Sequence, residues 1–246
     1  MADSLLIATA STFLLAGAVK GVIGLGLPTI AMGLLSLVMA PALAASILVV
    51  PSLVTNVWQM AAGPRLVPLL RRLWPMMLAI CIGTWAGTGL LTGDNSGQAT
   101  TALGAALVLY ALVGLTSVRF AVPARAEGWL SPLVGAATGL VTAATGVFVI
   151  PAVPYLQALA LEKEDLVQAL GLSFTVSTLA LAASLAHEGA LGLSVAGASL
   201  LALAPALCGM VLGQWIRARL RPDVFRSCFF LGLLALGVHL ALREAM

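Results

Sequence analysis

Lys20 lies in an apolar stretch that is rich in glycine, and these residue types together can bind an anion. Glycine at this density lets a helix unwind, and proline removes one backbone donor. Unwound backbone exposes amides, and the helix N-terminus that follows favours negative charge. An ammonium group and backbone amides would therefore attract an oxyanion without a dedicated set of side chains. The candidate residues of this stretch are Lys20, Gly21, Gly24, Gly26, Pro28 and Thr29.

Lys20 has two interpretations. In the first, it marks the end of a membrane helix, and its ammonium group extends to the membrane surface. In the second, it sits in the break of a re-entrant hairpin and faces a cavity, where it attracts an anion. A lysine at the bilayer centre costs roughly 2.5–3.5 kcal/mol unless it reaches water, a partner or an anion. The sequence leaves both interpretations open.

A weaker copy of the stretch returns in the second half of the chain as TGLVTAATGVFVIP, with Thr138 opposite Lys20. Its hydroxyl groups could donate to an anion or bind the carbonyls of their own helix. The candidates at this second break are Thr142, Thr145 and Gly146. We expect the two broken hairpins to meet near the midplane of the membrane.

Amides and hydroxyls inside the longer apolar segments form a further group of candidates. Buried polar groups need partners, so these side chains should face the interior of a bundle. They either hold helices together or line a transport path, and Asn56 and Ser173 are the preferred lining residues. The other members are Gln59, Gln168, Thr175, Ser177 and Thr178.

The composition defines the class of protein to which these residues belong. Of the 246 residues, 61% are hydrophobic and 9% are charged, whereas soluble domains carry about 25% charged residues. This predicts an all-α polytopic membrane protein embedded in a lipid bilayer. The net charge of +3 does not indicate a nucleic-acid partner, because the arginines fall in short clusters between apolar runs. The three cysteines, Cys81, Cys208 and Cys228, lack metal-site spacing and are predicted to be buried.

Ten apolar segments fall into two sets of five that resemble each other. Gly17 and Gly21 match Gly135 and Gly139, and the Gly83–Gly87 pair matches Gly209–Gly213. The first two segments of each set are short and meet at a break, which predicts a broken or re-entrant helical hairpin. The predicted division is a first repeat over 1–120, a cytoplasmic linker over 121–128 and a second repeat over 129–246.

The distribution of charge favours inverted repeats. With five crossings in each half, every arginine-rich loop faces the cytoplasm, as the positive-inside rule requires. Both termini, Asp94 and His187 would then lie outside. The arginines of these loops are Arg65, Arg71, Arg72, Arg119, Arg125, Arg217, Arg219, Arg221 and Arg226.

Enzymatic chemistry is disfavoured, because every carboxylate lies in a loop or near a terminus and no nucleophile–base or metal-binding motif occurs. No catalytic residue, metal or cofactor is predicted.

Several motifs resemble the sulfite exporter TauE/SafE family, also called the toluene sulfonate uptake permeases. The resemblance covers nearly the whole chain. The motifs are GAVKGVIGLGLPT over 17–29, ALAASILVVPSLVTNVWQ over 42–59, GAATGLVTAATGVFVIP over 135–151 and QALGLSFTVST over 168–178.

The resemblance implies a transporter of small anions, often sulfur-containing, such as sulfite or sulfoacetate, in a bacterial inner membrane. It leaves the substrate, the direction, the coupling ion and the choice between monomer and homodimer open. Many family members have a GGG-like run at the first break, where this chain has GLGLPT. A non-transporting membrane subunit that anchors or assembles a partner complex is the alternative.

Overall fold

The computed structural model describes residues 2–93, 96–116, 121–217, 219 and 222–243, and the elements within these ranges are helices. Seven of them, α1, α3, α4, α5, α8, α9 and α10, are long and apolar enough to cross a membrane. The protein is therefore an all-helical, multi-pass membrane protein. The helices are α1 (Ala2–Ile23), α2 (Leu27–Leu35), α3 (Pro41–Ala61), α4 (Leu66–Ala86), α5 (Ser96–Leu115), α6 (Ala124–Thr145), α7 (Ala152–Ala158), α8 (Lys163–His187), α9 (Leu193–Arg217) and α10 (Pro222–Leu242).

The first break lies between α1 and α2 and is shorter than the sequence suggests. Helix α1 continues to Ile23, so Lys20 lies in its last turn and not in the break. Gly24 and Gly26 adopt φ angles of 76° and 104°, a region open mainly to glycine. The breaks after α1 and α6 are each followed by a short helix, α2 or α7.

Glycines bring α1 against α9 and α6 against α4. A Cβ atom on Gly17 or Gly21 would meet the carbonyl of Ala206 or Met210, so the backbones of α1 and α9 touch and the helices run parallel. Gly135 and Gly139 contact Met76 and Ile80 in the same way, again with both helices running in one direction.

The contacts of Gly83 correct the predicted glycine alignment. Gly83 approaches the Ala136 carbonyl and Gly213 approaches the Ala18 carbonyl. Ala18 and Ala136 are separated by 118 residues, as are Gly17 and Gly135. Gly83 therefore corresponds to Gly213 and not to Gly209, one helical turn away from the predicted match.

Two further helix pairs cross in opposite directions at the centre and side of the bundle. Between α3 and α8, Asn56 contacts Thr178 and Gln59 contacts the backbone of Val167. Residue numbers therefore increase along α3 in the direction in which they decrease along α8. In α5 and α10, Gly104 packs beside Gly237 while Gly114 packs on Phe230. Helices α3 and α8 are thus antiparallel, as are α5 and α10.

Charged groups gather at one end of the bundle, here called the arginine end, which comprises the α3–α4 loop, the starts of α6 and α8 and the end of α9. Arg65 pairs with Asp165 at 3.3 Å, and Arg72 donates to both carboxylate oxygens of Glu127 at 2.6 and 2.8 Å. Helix α6 begins at Ala124, within the segment predicted as a linker. Asp94, Arg119 and Arg221 lie outside the described residues.

Gln168 at the start of α8 holds the α3–α4 loop in place. Its amide nitrogen donates to the carbonyls of Met60 and Gly63 at 2.8 and 2.6 Å, and its oxygen accepts from the Arg65 amide at 3.0 Å. A Cβ atom on Gly63 would lie 2.6 Å from that oxygen. One side chain thus joins the two halves of the chain at the arginine end.

Replacing Gln168 by leucine should lower the stability of the protein. The Met60 and Gly63 carbonyls and the Arg65 amide would lose their partner, at about 0.5–1.5 kcal/mol for each hydrogen bond. We expect the Tm in detergent to fall by roughly 2–4 °C for each kcal/mol lost. Gln157→Leu is the matched control, because Gln157 is exposed on α7. An equal change in the two variants would contradict the prediction.

Candidate functional site

The side chain of Lys20 turns into the bundle and not towards the membrane surface. The residue is 5% exposed, and its ammonium group donates to the Thr55 hydroxyl at 3.0 Å and to the side-chain oxygen of Asn56. Both acceptors lie on α3, so α1 presents its cation to the neighbouring helix. This rules out the interpretation in which the ammonium group extends to the membrane surface, and the attraction of an anion by Lys20 stays a prediction.

The groups that contact Lys20 are neutral. In the described ranges, the ion pairs join Arg65 to Asp165 and Arg72 to Glu127, and neither includes Lys20. A buried charge is costly unless it is paired, and hydroxyl and amide dipoles offset only part of that cost. An anion that reached Lys20 would supply the missing compensation.

Asn56 extends the contact of Lys20 across the interface between the two halves. Its amide nitrogen donates to the Thr178 hydroxyl on α8 at 3.3 Å, and Thr178 donates to the Phe174 carbonyl at 2.7 Å. The chain Lys20–Asn56–Thr178 therefore joins α1, α3 and α8. The sequence singled out Asn56 but did not identify Thr55, whose only signal is its place beside Asn56 in a Pro51-containing helix.

Pro51 explains how α3 can also bind α9, nearer to the start of α3. Proline has no amide hydrogen, so the Ile47 carbonyl loses its helical partner. The Ser199 hydroxyl donates to that carbonyl at 2.7 Å and accepts from the Val50 amide at 3.1 Å. The missing helical bond is thereby replaced by a link between the halves.

The residues of the first break have separate structural tasks. Gly21 lies within α1 and packs on α9, so its backbone is part of a helix contact. The Thr29 hydroxyl donates to the Gly26 carbonyl at 2.9 Å, and the Ile30 amide bonds the same carbonyl as the first helical bond of α2. Pro28 occupies the first turn of α2, where a missing amide hydrogen costs nothing. The amides of Leu27 and Thr29 lie in the first turn of α2, before its first i→i−4 hydrogen bond, and therefore have no acceptor within the helix.

The hydroxyls of the second break bind their own helix. Thr142 donates to the Thr138 carbonyl and Thr145 to the Val141 carbonyl, each at 2.7 Å. Thr145 also accepts from the Val147 amide at 3.1 Å. The sequence left two roles open for these hydroxyls, and the structure shows the second one, in which they donate to carbonyls of their own helix. Gly146 ends α6 with a φ of 70°.

The two breaks lie towards opposite ends of the bundle. Gly21, just before the first break, packs on Gly213, one turn from the end of α9 at Arg217 and hence near the arginine end. Ala143, just before the second break, packs on Gly87, where α4 ends at the opposite side. The two breaks are therefore separated along the bundle, while the hairpins touch where Gly146 packs on Met32 of α2. A meeting of the hairpins near the membrane midplane stays a prediction.

Three buried hydroxyls on α3 and α8 have no hydrogen-bond partner in the described part of the chain. Ser173 and Ser177 lie one turn apart on α8, and Ser52 lies one turn before Asn56 on α3. All three are fully buried. Buried hydroxyls are almost always satisfied by protein, water or ligand. These groups, which include the predicted Ser173, are thus available donors on the two helices that carry Asn56 and Thr178.

Comparison with known proteins identifies the chain. A model of the sulfite exporter TauE/SafE family matches residues 9–240. The chain belongs to this family. No curated protein and no solved structure matches it. TauE/SafE proteins are membrane transporters of sulfur-containing anions, which agrees with the seven apolar helices. Within this TauE/SafE chain, the match spans both the Lys20 stretch and its copy around Thr142.

Proposed function

We propose that the protein is a secondary transporter that exports sulfite or a small organosulfonate, such as sulfoacetate, across the bacterial inner membrane. The observation that carries this proposal is the buried cation of Lys20, whose hydrogen-bond partners among the described residues are neutral acceptors on α3. A small oxyanion has the charge to balance it and several oxygen atoms to accept hydrogen bonds.

The proposed binding site is centred on Lys20 and Asn56. Lys20 supplies the positive charge, and the Asn56 amide nitrogen, now on Thr178, can turn to the anion. The hydroxyl of Ser173 is a further donor, because it is buried and has no partner in the described ranges. The two breaks then serve as approaches from either side. The Thr29 amide lies in the first turn of α2 and is a further donor there, whereas the Gly24 and Gly146 amides donate to the Lys20 and Thr142 carbonyls at 2.8 Å.

We further propose that residues 1–120 and 129–246 are inverted repeats joined by a linker, with the arginine end in the cytoplasm. The antiparallel crossing of α3 with α8 supports this, as do the matching contacts of Gly83 and Gly213. The broken hairpins then enter from opposite sides, as alternating access requires. A reporter fused to the N-terminus should be reached only from the periplasmic side, and its detection from the cytoplasm would contradict this orientation.

Anion flux into proteoliposomes tests the function directly. We expect sulfite or sulfoacetate to move down its gradient and to raise the Tm of the purified protein, while taurine, which carries its own cation, should do neither. A non-transporting subunit would show no flux and no thermal shift with any anion. That result would overturn the proposal in favour of the alternative.

A further inference from the structure

Polar side chains join α4 and α8 at the end of the bundle opposite the arginine end, here called the far end. The Ser184 hydroxyl donates to the Thr88 hydroxyl at 3.1 Å, and the Thr92 hydroxyl donates to the Glu188 carboxylate at 3.2 Å. Each pair is separated by 96 residues, so the two chain segments run side by side in one direction. Ser184 is buried and Glu188 is exposed, so these polar groups lead from the surface into the bundle.

The same side of α8 carries two more hydroxyls towards the centre of the bundle. Ser177 lies seven residues before Ser184, and Ser173 lies one turn before Ser177. At about 100° per residue, the three positions fall within about 40° around the helix, on the side that meets Thr88. Ser173 and Ser177 are fully buried and have no hydrogen-bond partner among the described residues. Both are therefore free donors on the side of α8 that faces α4.

Thr84 adds a free donor from α4. It lies in the last turn of this helix, one turn before Thr88, and is fully buried. Its hydroxyl also lacks a partner in the described ranges. The polar groups between the two helices, here called the α4–α8 seam, are Thr84, Thr88, Thr92, Ser173, Ser177, Ser184 and Glu188.

The inner hydroxyls of the seam differ from groups that only hold helices together. Such groups bond each other across the interface, as Ser184 and Thr88 do at the far end. Thr84 and Ser177 are unbonded in the described part of the chain, although buried hydroxyls are almost always satisfied by protein, water or ligand. A small oxyanion accepts hydrogen bonds at each of its oxygen atoms, and these hydroxyls can donate them.

The packing around the seam allows its far end to open. Gly83 and Gly139 hold the backbone of α4 against α6, whereas Gly171 holds α8 against the backbone of α3. Gln168 ties the start of α8 to the α3–α4 loop at the arginine end. At the far end, the Ser184 and Thr92 hydrogen bonds join side chains and can separate without breaking a helix contact.

We infer that the α4–α8 seam is the path by which the anion passes between the Lys20–Asn56 site and the far end, which is periplasmic in the proposed orientation. The inference rests on the proposed function, and Ser173 belongs to both the site and the seam. The Ser184 and Thr92 hydrogen bonds close the path, and their separation frees two more hydroxyls to donate to the anion. Glu188 is exposed, so water and salt screen its charge.

Thiol labelling of spheroplasts tests the inference with 2-sulfonatoethyl methanethiosulfonate, a small anionic reagent that does not cross membranes. The native cysteines Cys81, Cys208 and Cys228 are exposed, which corrects the prediction that they are buried. They are first replaced by alanine, so that only introduced thiols react.

Thr84→Cys and Ser177→Cys should be labelled from the periplasmic side, and excess sulfoacetate should slow this labelling about threefold or more. Thr175→Cys is the matched control, because Thr175 is also buried but lies on the opposite side of α8 from Ser177. It should be labelled about tenfold more slowly. Adding Ser184→Ala to Ser177→Cys removes one closing hydrogen bond and should speed labelling by about two- to tenfold.

Unlabelled Thr84→Cys and Ser177→Cys proteins would overturn the inference, as would equal labelling of Thr175→Cys. An unchanged rate on adding Ser184→Ala would overturn the closing role of Ser184. The Tm of each purified variant shows that it is folded. Flux by the wild-type protein is measured separately, so a transporter with an unreactive seam would disprove the path and leave the proposed function intact.

Discussion

Lys20→Ala is expected to reduce anion flux in proteoliposomes by about 10- to 100-fold while the protein still inserts and folds. A hydrogen bond to a charged group contributes about 1.5–3 kcal/mol, and each 1.4 kcal/mol is a factor of ten in affinity. Loss of the cation removes that attraction and leaves the Asn56 oxygen and the Thr55 hydroxyl without their donor. The anion-induced rise in Tm should disappear together with the flux.

Lys163 is a matched control, because the chain contains only two lysines and Lys163 begins α8 at the arginine end. Lys163→Ala should transport at the wild-type rate. Lys20→Arg keeps the charge and should retain measurable binding, which separates loss of charge from loss of shape. Full flux in a folded Lys20→Ala protein would remove Lys20 from the site, although the protein could still be a transporter.

Gly213→Ala is expected to destabilise the protein strongly, because α9 approaches the backbone of α1 at this point. The new Cβ atom would meet the Ala18 carbonyl, and a backbone cannot move aside as a flexible side chain can. Overpacking of this kind costs about 1–3 kcal/mol. We expect a fall in Tm and in the yield of folded protein, together with weaker anion binding, because α1 also carries Lys20.

Gly197 provides the control within the same helix. A Cβ atom there would meet nothing within 4 Å. Gly197→Ala should keep or slightly raise the Tm, since alanine favours a helix by about 1 kcal/mol over glycine. A lower Tm for Gly213→Ala and an equal or higher Tm for Gly197→Ala would establish that the helix contact, and not the flexibility of glycine, determines the effect. Equal Tm values would contradict the close approach of α1 and α9.

Some features of the candidate site follow from the sequence because they depend on local chemistry. The break at Gly24 and Gly26 was predictable, since positive φ angles favour glycine whatever packs nearby. The importance of Asn56 also followed, because an amide in an apolar span must find a partner. The glycine matches indicated a duplication, but their register was wrong by one turn at Gly83, since a GxxxG spacing repeats along one helix face.

The sequence by itself determined the helical membrane class and the family, because apolar composition, segment length and motif spacing are properties of the linear chain. Only the tertiary structure decided where Lys20 points and what it touches, and it separated the two breaks towards opposite ends of the bundle. Those outcomes depend on long-range packing: α3 must lie beside α1 for Thr55 and Asn56 to receive the ammonium group. Spacing along the chain does not encode which of several apolar helices becomes that neighbour.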